Sequence, residues 1–132
     1  MEQFDIRADK NRNRFYCILK GFFLESEIDL AFDRISAELE NLRDGFDVVL
    51  DIQNLQTRPE YLKDFFFEKL KKIIESDCSY IFKVTHEKAS KTLKKPVRSA
   101  HDDHRRIRPI SCIKEAEDFL ESDFLIKNII YN

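Results

Sequence analysis

A chain of 132 residues with a formal net charge of −2 is long enough to bury one core and too short for two ordinary domains. Its 42% hydrophobic content and twelve Phe exclude an intrinsically disordered chain, and its near-neutral charge argues against a general nucleic-acid binder. It has no apolar run long enough to span a bilayer, and Met1-Glu2-Gln3-Phe4-Asp5 lacks the basic start and apolar centre of a signal peptide; both point to a cytoplasmic protein.

Phe4-Asp5-Ile6 and Phe15-Tyr16-Cys17-Ile18-Leu19 are short β-rich runs on either side of Asp9-Lys10-Asn11-Arg12-Asn13, a pattern that predicts a hairpin. Gly21 should end the second strand. Ser26-Glu27-Ile28-Asp29 has capping-box spacing, and Ile28, Phe32, Ile35, Leu39 and Leu42 recur at helical spacing until Gly45. Phe46-Asp47-Val48-Val49-Leu50-Asp51-Ile52 is then a strand apolar enough to be covered on both faces.

After Pro59 a second helix carries Leu62, Phe66, Leu70 and Ile73, with Phe65, Phe67 and Ile74 widening the stripe. Tyr80-Ile81-Phe82-Lys83-Val84 predicts another strand, and the polar stretch 86–104 is partly helical with a break at Pro96. Arg106-Ile107-Arg108-Pro109-Ile110 suits an edge strand, because it alternates with charge and contains Pro. Ser111 opens a final helix through Ile113, Ala116, Phe119 and Leu120, and residues 122–132 form an apolar C-terminal extension.

The order ββαβαβαβα predicts a single α/β domain over residues 1–132, with a mixed, mostly parallel sheet flanked by helices. In such sheets ligands gather outside the carboxyl ends of the strands, so Asp51 and the loop 53–60 are the first candidates for function.

Three chemical readings lack their required residues. A phosphoacceptor receiver built on Asp51, Thr85 and Lys95 needs an acidic pair after the first strand, and Ala8-Asp9-Lys10 supplies one carboxylate; Lys95 also follows Thr85 too closely for an intervening helix and strand. His101-Asp102-Asp103-His104 holds metal-ligand types, but Arg98, Arg105, Arg106 and Arg108 crowd the segment and oppose a cation, so no metal is expected. Cys17, Cys78 and Cys112 form no CxxC pair and suit reduced core thiols. No nucleophile-base pair or Gly-rich phosphate loop occurs, so neither an enzyme nor a cofactor is expected.

Leu19-Lys20-Gly21, Val48-Val49-Leu50-Asp51-Ile52 and Ser111-Cys112-Ile113-Lys114-Glu115-Ala116-Glu117-Asp118-Phe119-Leu120, in that order, resemble the STAS and SpoIIAA-like domains, bacterial regulatory modules. The resemblance spans about residues 4–121 and implies a SpoIIAA-like fold with a regulatory, protein-binding role. In the anti-sigma-factor-antagonist branch an Asp-Ser pair after the central strand carries a regulatory phosphate. Here that stretch is Asn54-Leu55-Gln56-Thr57-Arg58-Pro59-Glu60-Tyr61, with no Asp-Ser pair and Thr57 as the nearest hydroxyl.

The expected partner surface comprises Asp51, Gln53, Asn54, Thr57, Arg58 and Glu60, with a second, basic surface at Lys94, Lys95, Arg98, Arg105 and Arg106. The C-terminal extension docks on its own domain or forms a homodimer contact. The competing reading is a small-molecule or lipid carrier, since Phe65-Phe66-Phe67 spreads over about 200° of helix and one ring could face a cleft.

Overall fold

The computed structural model describes residues 3–85 and 107–131, with side chains given through residue 122. Antiparallel strands β1 (Gln3–Asp9) and β2 (Arg14–Leu24) lead into helix α1 (Glu25–Leu39), then strands β3 (Phe46–Asp51) and β4 (Leu55–Arg58). Helix α2 (Tyr61–Ile74), strand β5 (Cys78–Val84), strand β6 (Ile107–Ile110) and helix α3 (Ile113–Tyr131) complete the described elements. The sheet runs β1-β2-β3-β5-β6, and every pairing after the first hairpin is parallel.

The hairpin turns at Asn13, whose positive φ of 56° suits its short polar side chain. Its amide side chain also ties the turn to the connection between α1 and β3, accepting from the Arg43 N–H at 2.8 Å and donating to the Arg43 carbonyl at 3.2 Å. α1 begins one residue before the expected cap: Glu27 Oε1 accepts the Leu24 N–H at 2.8 Å, so Glu27 performs the role assigned from sequence to the Ser26-Asp29 pair. The helix ends at Leu39, short of Gly45, which instead takes φ 87° in the turn before β3.

Alternation along β2 and β3 sends side chains to two cores. Phe15, Cys17, Leu19, Val48 and Leu50 pack beneath α1 and α2 with Ile28, Ile35, Phe66 and Leu70. Tyr16, Val49, Phe82, Val84 and Ile110 pack on the opposite face with Ala116 and Leu120 of α3. Burial of both faces explains why β3 reads as an uninterrupted apolar run. Of the thiols, Cys17 and Cys78 are buried and Cys112 is exposed, which corrects the expectation of three core cysteines. On α2 the buried stripe is Leu62, Phe66, Leu70 and Ile74, with Ile73 turned outward.

The largest departure from the sequence reading lies after Asp51. Residues 53–60 are expected to form a loop, yet they contain β4, which pairs with the end of β2. Arg14 lies opposite Asp47 and Gly21 opposite Leu55, so one extra residue sits on the β3–β4 side between these points. That is the arrangement of a β-bulge: β3 and β4 run along the same flank of the eleven-residue β2, interrupted where the register slips. The described order is therefore ββαββαβ up to Val84, not ββαβαβ. The C-terminal extension also continues as backbone helix within α3 through Tyr131.

Candidate functional site

The carboxyl end of β3 is held by its own backbone and side chains. Asp51 is buried, and its Oδ1 accepts the Gln53 N–H at 3.3 Å, an Asx turn that starts the bulge. The Gly21 N–H donates to the Asn54 carbonyl at 3.1 Å and the Leu55 N–H to the Ile52 carbonyl at 3.1 Å, tying the slipped residues to β2.

Along β4, Leu55 and Thr57 point inward while Gln56 and Arg58 point to solvent. The Thr57 hydroxyl lies 2.8 Å from the Pro59 carbonyl and 3.1 Å from that of Glu60, so its single proton is shared between two acceptors in the turn to α2. Pro59 follows a cis peptide bond, and α2 starts two residues later at Tyr61. Thr57 is thus a buried turn-closing residue at 7% exposure. Among the six residues of the expected partner surface, Asp51 and Thr57 serve the architecture, Gln53 is half-buried, and Asn54, Arg58 and Glu60 are exposed.

The structure adds Phe22 and Leu24 to this end of the sheet, apolar residues that strand periodicity did not single out. Phe22 and Leu24 lie on β2 directly opposite Gln56 and Arg58, and both are exposed, at 40% and 48%. The Arg58 guanidinium sits 5.1 Å from the centre of the Phe22 ring. Three residues beyond Arg58, Tyr61 opens α2 at 66% exposure, and Phe65 follows one turn later at 49%. Phe22, Leu24 and Arg58 thus stand together on the outer part of the β2–β4 ladder, and Tyr61 and Phe65 are exposed on the helix that follows. A weak signal existed in sequence: Phe22 and Leu24 continue the β2 alternation past Gly21, where a strand end would ordinarily turn polar.

The Phe triplet divides three ways. Phe66 is fully buried and packs on Phe32 with ring centres 4.9 Å apart. Phe65 faces outward, and Phe67 is half-buried, with Lys71 Nζ 5.2 Å and Lys83 Nζ 4.8 Å from its ring centre.

A polar cleft of about 390 Å³ lies at the opposite end of the sheet, between the β1–β2 hairpin and α3. Arg7, Arg12, Arg14 and Tyr16 form one wall and Glu117, Asp118 and Glu121 the other. Glu121 pairs with Arg12 through two 3.0 Å hydrogen bonds and approaches the buried Arg14 at 3.5 Å, while the Tyr16 hydroxyl donates to Glu117 Oε2 at 2.9 Å. The Arg12 pairing holds the Glu121 carboxyl below the usual carboxylate range. Burial, aided by Glu117, pushes the Tyr16 phenol up although Arg14 opposes it. The charges bridging the cleft satisfy one another, so its evident role is to clasp α3 to the sheet.

The basic surface at Lys94, Lys95, Arg98, Arg105 and Arg106 and the His101–His104 segment lie outside the described residues. Among the described residues no group of three or more His, Cys, Asp or Glu is placed to hold a metal ion, and no helix is long and apolar enough to cross a membrane. No protein-family model matches the chain, and no curated protein or solved structure matches it either. The structure defines the class as an α/β protein with a six-stranded mixed sheet, helices α1 and α2 on one face and α3 on the other.

Proposed function

We propose that this chain is a non-enzymatic, cytoplasmic regulatory module of the STAS or SpoIIAA-like type that binds a protein partner at the carboxyl end of its sheet. The observation that carries the reading is the exposed pair Phe22 and Leu24 beside Arg58 on the β2–β4 ladder, with exposed Tyr61 opening the helix three residues later. Aromatic side chains and Arg are the residues that dominate binding energy at protein interfaces, because they bury large areas at little entropy cost and tolerate desolvation. The partner chemistry that fits is an apolar side chain seated among the rings with a carboxylate meeting Arg58.

The buried position of Thr57 supports a module without the family's phosphoswitch. A phosphate there would have to displace two backbone carbonyls from the hydroxyl and bring charge into a buried turn. Partner choice would then depend on shape and on Arg58 rather than on modification.

The test is affinity capture from the native host followed by reconstitution with the purified partner. Arg58→Glu and Tyr61→Ala should each weaken the reconstituted complex at least about tenfold, while Lys114→Ala on α3 leaves it unchanged. Binding indifferent to both patch substitutions would remove the carboxyl end as the contact surface.

A further inference from the structure

On the α2 side of the sheet, two lysines share one aromatic ring and a third lies close enough to act on one of them. Lys63 and Lys71 lie on α2 one turn before and one turn after Phe67, so all three share a face of that helix. Lys83 comes from β5, opposite Leu50 of β3 and Pro109 of β6, and alternation turns it toward the same side. Lys71 and Lys83 both lie within contact range of the Phe67 ring, and Lys63 Nζ reaches the Gln53 carbonyl at 3.4 Å. This niche lies toward the carboxyl ends of adjacent parallel strands, the end of open α/β sheets near which ligands collect.

Its charges are incompletely balanced. Lys71 pairs with Glu68 at 3.4 Å, but among the described residues the Lys83 ammonium has no carboxylate or other acceptor bonded to it. Burial and the neighbouring Lys63 hold the Lys83 amine below the usual lysine range, with only Asp64 acting against them. A half-buried cation beside a second cation is costly in water-poor surroundings, and a bound anion offsets that cost.

We infer that Lys63, Lys71 and Lys83, gathered around Phe67, form a binding site for a phosphate-type anion. Lysines act here as point charges able to reorient on a compact oxyanion. The half-buried Lys83, with no acceptor bonded to it among the described residues, supplies the strongest contact.

The experiment titrates inorganic phosphate into the isotopically labelled full chain at constant ionic strength, following backbone amide shifts. Saturable shifts at Lys63, Phe67 and Lys83 are expected. Lys83→Met should weaken binding about tenfold and Lys63→Met several-fold, whereas Lys83→Arg retains most of the affinity and Lys114→Met all of it. Lys63→Met keeps the inference testable if Lys83→Met perturbs the sheet. Non-saturating shifts that chloride reproduces, or affinity unchanged in both Met variants, would overturn the assignment.

Discussion

The Tyr16 hydroxyl donates to Glu117 Oε2 at 2.9 Å, joining the second strand to the last helix across a separation of 101 residues. With the Glu121–Arg12 pair, this bond seats α3 on the face of the sheet opposite α1 and α2. Tyr16→Phe keeps the ring packed in the second core but removes the bond, and should cost about 1 kcal/mol in denaturant unfolding. An unchanged midpoint would mean that water replaces the hydroxyl fully.

The Glu121 carboxyl titrates lower in the folded chain than in the unfolded one, chiefly through its hydrogen bonds to Arg12. Its stabilising contribution is therefore complete above the ordinary glutamate range and lost as pH falls through the lower folded value. Glu121→Gln should flatten that part of the acid limb in a plot of melting temperature against pH. An acid limb of identical slope in the variant would show that other carboxylates dominate.

Lys83 gives a dependence of the same sign at higher pH. Its folded pKa is lowered, so the penalty of charging it is present below that value and relieved as pH rises toward the ordinary lysine range. Wild type should gain stability relative to Lys83→Met as pH is raised through this interval; comparison with the variant cancels the contrary titration of Tyr16. Parallel curves would contradict the burial assigned to the ammonium.

β1 is an edge strand, and α1 reaches over it: Glu38 Oε1 accepts the outward Ala8 N–H at 2.8 Å. A carboxylate bound to an edge donor blocks the approach of another strand. Glu38→Ala should cost about 1 kcal/mol and increase self-association, measured by light scattering across a concentration series. Equal scattering from both proteins would show that the edge needs no such guard.

The three adjacent Phe of α2 offer a direct check on packing. Phe66→Ala removes a fully buried ring and should cost about 3–5 kcal/mol. Phe65→Ala removes a half-exposed ring and should change stability by no more than about 0.5 kcal/mol. Comparable losses would mean that Phe65 is covered in solution, as an apolar interface between copies would require.

Much of the scaffold was legible because local patterns and global packing agree. The β-rich run Phe15 to Leu19 and the apolar run Val48 to Leu50 specify strands, and the spacing of Ile28, Phe32 and Ile35 specifies a helix face, whatever they pack against. Gln53 to Glu60 was opaque for a physical reason. Leu55-Gln56-Thr57-Arg58 is too short and too polar to announce a strand, and it becomes one only because β2 extends past Gly21 and offers it a free flank.

The candidate site divides in the same way. Sequence by itself determined the described strands and helices other than β4, the doubly covered central strand and the end of the sheet where Asp51 lies. Tertiary structure alone decided that Asp51 and Thr57 spend their polar groups on backbone turns, that Phe22 and Leu24 stand beside Arg58, and that Lys83 comes near Lys63 and shares the Phe67 ring with Lys71. Periodicity reports which side of its own element a residue occupies, whereas burial and charge balance depend on what distant segments bring to that side.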